Sequence, residues 1–547
     1  MKNNKKNRSN SENPGGGTYL KRAPFIALLI FVLFLVEIFS LLRNSSISAS
    51  VNSDVAYYKQ ELEDAKDKQT IIMGDVYDRN DNALVTFTDS LTEDQGTYLD
   101  PYVYSQVLGY CRNADSNGLL GRYESLLRST ANESDTKGYS LILTLDHELQ
   151  EQVYEALVNT IGANGRGSMV VMNADTGEIL SMVSTPVYDA SNVSAEMEWM
   201  NDSAKSNNVW YPLAKTGNDT APGSTFKLIS SIIMLENGLG TFTTSDDVTY
   251  EGKGYTIKNY SSYVSAGTIG LQDALKKSSN VFFVKALLKL DGLEEKLTEK
   301  AKALYLGENL SLDFGDITSN WPFDEDTWAI IEKKEGFNAE YERAACLFGQ
   351  SEIRMSSLQG AMLAAGIINN GKIMTPYMVE SVKDSSGKTH DLYELIDKIN
   401  ESADFAANSD AANCLKENEK RVTSTAIPDP EAEKGTVLSQ LTNSEAADQL
   451  LSMMQYAAVY QYGFDESLGV AAKSGTSETG QNANAGNNAW MVSAATINGT
   501  KYAVCINWAK AAAGTQGKDM RVPVETIYRY LQDMTGAQDA AGTENAQ

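Results

Sequence analysis

Histidine is almost missing from this 547-residue chain, which holds only His147 and His390. A Ser-His-Asp triad would need one of them, and neither sits in a motif-like setting. Any serine chemistry here is therefore expected to use lysine. Cysteine is scarce too. Cys111, Cys346, Cys414 and Cys505 are widely scattered with no metal-ligand spacing, and these counts argue against a metal site. Basic residues are outnumbered 46 to 72 by acidic ones, giving a formal charge of -26. So acidic a body argues against nucleic acid as the partner. No internal repeat is visible. With 42% hydrophobic residues the chain reads as folded, with length for two or three domains.

What is present begins with one long apolar run. Ala23 to Leu42 (APFIALLIFVLFLVEIFSLL) is almost wholly apolar and long enough to cross a bilayer. The small residues of SISAS at 46–50 offer a cleaved signal peptide as the rival, but the run exceeds a signal-peptide core, so an uncleaved anchor is expected. Residues 1–22 set Lys2, Lys5, Lys6, Arg8, Lys21 and Arg22 against Glu12. That basic tail should stay in the cytoplasm and leave the rest of the chain outside. Glu37, costly in lipid, is expected near the outer boundary.

The remainder divides by pattern. Residues 43–160 read as a small, mixed, non-catalytic module, with IIMGDVYDRNDNALV at 71–85 forming a hairpin. Residues 161–532 read as one α+β domain. Its strands come early, in SMVVMNADTGEILSMVS, and late, in NNAWMVSAATINGTKYAVCINW, where Asn498-Gly499 suits a type I′ turn. The stretch between is mainly helical, so the sheet should join both ends of the segment. Polar residues 381–435 read as an insertion, and 533–547 as a disordered tail.

Three short stretches carry chemistry. Ala221 to Gly238 (APGSTFKLISSIIMLENG) reads as a mostly buried helix opening on Ser224, with Lys227 one turn later on the same face and Gly238 as its C-cap. A serine at the positive end of a helix, with an amine above it, can be activated without histidine. Alone, the pair is more often a helix cap and a lysine reaching to water, and only the rest of the chain raises the catalytic reading. Ser278-Ser279-Asn280 interrupts the helical pattern of 271–290 and offers a hydroxyl and an amide. Lys473-Ser474-Gly475-Thr476 ends an apolar strand run, where glycine lets a ligand approach the backbone.

Ser-x-x-Lys, Ser-x-Asn and Lys-Ser-Gly, in that order, are together far less frequent by chance than any one. On these motifs the chain resembles the penicillin-recognising serine transpeptidases, and more narrowly the monofunctional class B penicillin-binding proteins, from about residue 70 to 532. MGDVYDRNDN is similar to that class's N-terminal RGxIxDRNG motif, with Met73 for its arginine and Asp81 for its final glycine. FGQSEIRMSSLQGAMLAAGIINNGK and NNAWMVSA resemble two further segments, with Ser351 replacing a glycine and Asn488 a histidine.

The resemblance implies a penicillin-binding, serine β-lactamase-like fold and assigns roles. Ser224 is the nucleophile and Lys227 its base. Ser278 relays a proton to the leaving amine, Asn280 orients substrate and Lys227, and Lys473 tunes the field. Ser474 and Thr476 bind the substrate carboxylate beside Gly475, and the backbone N–H groups of Ser224 and Thr476 form the oxyanion hole. The implied reaction is D,D-transpeptidation of peptidoglycan stem peptides, with no cofactor and with β-lactams as acylating inhibitors. No glycosyltransferase-sized region precedes residue 160, so glycan polymerisation is expected from a separate membrane partner. The rivals are a carboxypeptidase or β-lactamase-like hydrolase and a non-enzymatic β-lactam sensor or divisome scaffold.

Overall fold

The computed structural model describes residues 72–88, 96–112, 115–132, 134–217, 220–260, 263–265, 267–334, 336–395, 433–478, 486–512 and 514–544. The basic tail, the apolar run 23–42 and the stretch up to residue 71 lie outside them, as do residues 396–432, with Cys414, of the polar segment 381–435. Among the described residues no helix is long and apolar enough to cross a membrane.

The first strands are short: Val76–Tyr77 (β1), Ala83–Thr86 (β2), Thr97–Tyr98 (β3) and Ser140–Leu143 (β4). Helix His147–Ile161 (α1) follows, capped by the Asp146 carboxylate on Leu149 N. A hairpin comes next, Arg166–Asn173 (β5) and Ile179–Thr185 (β6). The helical middle includes Lys227–Glu236 (α2), Leu271–Lys277 (α3), Asn280–Leu287 (α4) and Ser357–Ile368 (α5). Strands Val379–Lys383 (β7) and Thr389–His390 (β8) precede helix Ser444–Ala457 (α6). The chain closes with Ala471–Glu478 (β9), Asn487–Ile497 (β10), Thr500–Ala511 (β11) and helix Arg521–Glu544 (α7).

The large sheet is antiparallel in the order β9-β10-β11-β5-β6, so the early and late hairpins do share it, and β9 is an open edge. Its β10–β11 turn has Asn498 at φ +47° and Gly499 at φ +87°, the two positive angles a type I′ turn requires. Alternation along the strands sorts the core into two faces. Met169 and Val171 pack with Leu149 and Val153 of α1 and with Val524, Ile527 and Tyr528 of α7. Their neighbours Val170 and Met172 pack with Leu358, Met362 and Ala365 of α5. The strands thus lie between two helical layers.

The smaller sheet runs β8-β7-β4-β1-β2-β3, with β1 and β4 parallel. The expected 71–85 hairpin is there, its turn tied by Asp78 Oδ1, which accepts from Asn80 N at 2.8 Å and Asn82 N at 2.7 Å. Asp81 takes φ +63°, the left-handed conformation a glycine would hold freely.

Three boundaries differ from the sequence reading. Helix α1, assigned there to the N-terminal module, buries its apolar face on the large sheet. Residues 379–390, assigned in part to an insertion, supply β7 and β8 to the small sheet; Val379 and Val382 are buried there, a signal too short to stand out in a polar run. Helix α7 continues to Glu544, through most of the stretch read as a disordered tail. Once a helix is anchored by buried side chains, each further residue adds a hydrogen bond, and α7 extends through this stretch despite its two glycines. A β-turn at Asp313 also ties the layers: its Oδ2 accepts from Met378 N at 2.9 Å and Val379 N at 2.6 Å, at the entry to β7.

Candidate active site

Pro222 and Gly223 turn the chain into a 3-10 segment, Gly223–Phe226, which runs directly into α2. Gly223 N donates to Gly349 O at 3.0 Å, fixing the turn against the FGQSEIRMS segment. Phe226, Leu228, Ile229, Ile232 and Ile233 are all buried, and Leu239 N to Met234 O (2.8 Å) with Gly238 N to Leu235 O (3.4 Å) closes the helix as a Schellman motif. Burial of each large apolar side chain contributes roughly 1.5–3 kcal/mol. Each unit by which a lysine is pushed from its ordinary pKa costs about 1.4 kcal/mol.

The helix holds Lys227, whose exposure is 0%. A lysine reaching to water is thereby ruled out. Lys227 Nζ lies 2.9 Å from Ser224 Oγ, 2.7 Å from Ser278 O and 3.0 Å from Ser278 Oγ. Burial, and then the charge of Lys473, hold its pKa well below the ordinary lysine range.

Ser278 sits between α3 and α4, as the broken helical pattern predicts. It ends α3 in the left-handed conformation, φ +59° and ψ +42°, where a residue other than glycine is uncommon. Ser279 caps α4, its hydroxyl accepting from Phe282 N at 3.2 Å. The bend turns both the carbonyl and the hydroxyl of Ser278 onto Lys227. Asn280 is placed differently: its Nδ2 donates to Lys258 O at 2.9 Å, while the hydrogen bonds of Lys227 go to Ser224 and Ser278.

The third motif lies on the edge strand β9. Lys473, also 0% exposed, sets Nζ 2.7 Å from Ser474 O, 3.2 Å from Ser278 Oγ and 3.2 Å from Tyr462 Oη. Ser474 N donates to Tyr462 Oη at 3.2 Å, so it points away from β10. By the two-residue alternation of a strand, Thr476 N–H points off the same edge. The serine turn lies against that edge, since a Cβ at Gly223 would lie 2.6 Å from Thr476 O, which leaves the strand on the same side as the Thr476 N–H. Thr476 Oγ1 accepts from Gly517 N at 2.9 Å. Ser224, Ser474 and Thr476 are each half-buried, as groups facing a cleft must be.

Tyr462 is the residue that sequence reasoning missed. It ends a π-helical segment, Ala458–Tyr462, that continues α6. Burial pushes its phenol up, but the Lys473 charge and the hydrogen bonds to Ser474 and Lys473 outweigh that and hold it below its ordinary value. A tyrosine-rich helix end (Tyr456, Tyr460, Tyr462) was the visible signal; which ring turned inward was not. The two histidines are engaged elsewhere, His147 Nδ1 with Tyr104 Oη and His390 Nε2 with Asp384 Oδ2, each at 2.8 Å. Among the described residues no group of His, Cys, Asp and Glu side chains is placed to hold a metal.

A serine, two buried lysines and a bridging hydroxyl at the edge of an antiparallel sheet form the kind of arrangement that serine–lysine acyl transfer requires. The family model for the penicillin binding protein transpeptidase domain matches residues 167–528, and the chain belongs to that family. Among curated proteins it is 27% identical over 319 residues to the peptidoglycan D,D-transpeptidase PbpA of Mycolicibacterium smegmatis, a match covering 52% of this chain and 60% of that one. It is 26% identical over 317 residues to penicillin-binding protein 3 of Bacillus subtilis, covering 53% and 42% respectively. The chain thus spans about half the length of the curated relatives it matches. Among solved structures, the D,D-transpeptidase domain of a peptidoglycan glycosyltransferase from Eggerthella lenta superposes with TM-score 0.66 at 22% identity, covering 85% of this chain and 99% of that one. Penicillin-binding protein A of M. tuberculosis, as its penicillin G acyl-enzyme complex, gives 0.66 at 20% identity, covering 84% and 99%. These two show the fold.

Proposed function

We propose that the chain is a peptidoglycan D,D-transpeptidase. The observation that carries this reading is the 2.9 Å approach of Ser224 Oγ to a lysine amine with no exposure to water. A neutral Lys227 takes the Ser224 proton as Oγ attacks the carbonyl of the penultimate D-alanine. The Ser224 and Thr476 N–H groups receive the developing oxyanion. The C–N bond then breaks, the leaving D-alanine amine takes a proton through Ser278 Oγ, and an ester on Ser224 remains. An amine from a second stem peptide attacks that ester, forming the cross-link and returning the proton to Ser224. Ser474 and Thr476 hold the substrate carboxylate in the field of Lys473. Asn280, held by one N–H on Lys258 O, keeps its carbonyl and its second N–H for the substrate amide. No cofactor enters.

The apolar run 23–42 would anchor the enzyme in the membrane with its catalytic domain outside, and a separate membrane glycosyltransferase would supply the glycan strands. Relatives carrying the name D,D-transpeptidase support the acyl-acceptor reading over hydrolysis. The test is labelling with fluorescent penicillin followed by timed release. The wild type should acquire a long-lived adduct and Ser224→Ala none. An adduct on Ser224→Ala would overturn the nucleophile, and release within seconds would favour a β-lactamase-like hydrolase.

A further inference from the structure

A lysine ammonium has three N–H donors, and a buried one is costly unless each finds a partner. The partners of Lys473 number three: Ser474 O, Ser278 Oγ and Tyr462 Oη. The first is backbone and the second is shared with Lys227. The third is a side chain from outside the three motifs, whose placement departs from regular helix. In the π-helical turn Ala458–Tyr462 the residues are spaced differently from the α6 turns before it. Tyr460 is left 65% exposed, while Tyr462, two residues on, is turned inward to 9%. Lys473 Nζ is 5.9 Å from the Tyr462 ring centroid, so the close contact is with the oxygen and not the ring face. The same oxygen accepts from Ser474 N, pinning the edge of β9 immediately before Thr476.

We infer that Tyr462 is a positioning residue of this site: its phenol oxygen completes the shell of the Lys473 ammonium and, through that lysine, sets the field at Lys227 and Ser224. The inference rests on the reading of Ser224 as nucleophile and Lys227 as its base. The groups involved form one continuous chain, Tyr462 Oη, Lys473 Nζ, Ser278 Oγ, Lys227 Nζ and Ser224 Oγ, with successive separations of 3.2, 3.2, 3.0 and 2.9 Å. Facing Tyr462 Oη are Lys473 and the backbone of Ser474. Facing Lys473 are Tyr462, Ser474 and Ser278. Facing Lys227 are Ser224, Ser278 and, beyond the shared hydroxyl, Lys473. Among the described residues no carboxylate hydrogen-bonds to any of these three side chains, so the positive charge on Lys473 is balanced by dipoles alone.

Removing the phenol oxygen strips the Lys473 charge of one partner in three. Without that anchor the amine no longer holds its place 3.2 Å from Ser278 Oγ, and a charge withdrawn from the bridging hydroxyl acts more weakly on Lys227; Lys227 then holds its proton to higher pH, and a neutral base becomes rarer at any given pH.

The experiment compares the full-length chain with Tyr462→Phe and Tyr462→Met, measuring the second-order rate of acylation by fluorescent penicillin against pH, with thermal melting as the check on folding. Both variants should melt near the parent and acylate roughly 10- to 100-fold more slowly at neutral pH, the range expected for loss of a hydrogen bond to a charge. Their acid limb should move to higher pH, and the exposed neighbour's variant Tyr460→Phe should leave rate and limb unchanged. Folded variants that acylate at the parent rate would overturn the inference. So would a slower rate with the acid limb unmoved, which marks Tyr462 as packing only. Failure of the underlying reading looks different: Ser224→Ala would still be labelled, whatever Tyr462 does.

Discussion

Lys227 and Lys473 are both fully buried, and one hydroxyl bridges them, Ser278 Oγ at 3.0 Å from the first amine and 3.2 Å from the second. Two like charges so placed cannot both be held cheaply. Burial, and then the Lys473 charge, hold the pKa of Lys227 well below the ordinary lysine range.

Acylation should therefore lose rate as pH falls through the depressed pKa of Lys227, because only the neutral amine can take the Ser224 proton. The acid limb should lie well below the ordinary lysine range. Lys227→Arg keeps a positive charge but cannot deprotonate. Its acylation rate should fall roughly 10²- to 10⁴-fold, the contribution of a positioned general base. Stopped-flow labelling across pH checks both; an arginine variant with near-parental rate would show that neutrality is not required.

Gly475→Ala should separate the serine turn from the edge strand. The new Cβ would lie 2.4 Å from Pro222 O and 2.8 Å from Thr225 Cγ2, and a backbone oxygen cannot swing away as a side chain can. Overpacking of this kind costs about 1–3 kcal/mol. Melting temperature should fall, and acylation should fall further than the loss of folded protein accounts for, since the Thr476 N–H moves with the strand.

Asp313 offers a stability test away from the cleft. Burial raises its pKa from 3.8 to about 6, against the pull of the Val379 and Met378 N–H groups and of Arg122 and Lys434. Between those values the folded chain holds a proton that the unfolded chain has released, so stability falls as pH rises through the window, by on the order of 3 kcal/mol in all. Asp313→Asn should flatten that dependence while its amide oxygen still accepts from Met378 and Val379. Asp313→Ala orphans both donors and should cost roughly 2–4 kcal/mol. Denaturant melts at about pH 4 and pH 7 distinguish the two.

The three motifs and the two hairpins were legible because each has a local signature. The serine turn has a proline, a glycine and a helical period; Asn498-Gly499 can hardly form any other turn; and Ser278 breaks a helix visibly. What stayed hidden is non-local. The strand Val379–Lys383 is five residues in a polar run, and only pairing with β4, more than two hundred residues earlier, makes it a strand. The apolar face of α1 has the same period whichever sheet it covers. Asn280 turns to Lys258 because α4 places it there, and no spacing rule reports that. Tyr462 is one of three tyrosines at a helix end, and a π-helical turn decides which of them meets Lys473.

An open sheet edge is ordinarily a hazard, since its bare N–H and C=O groups invite another chain to pair and aggregate. In β9 the seam is closed at its middle. Ser474 has its N–H on Tyr462 and its carbonyl on Lys473, and the serine turn crowds the strand at Gly475. A strand of a second copy would find both edge-facing groups of Ser474 already taken, by the same bonds that hold Lys473 in place.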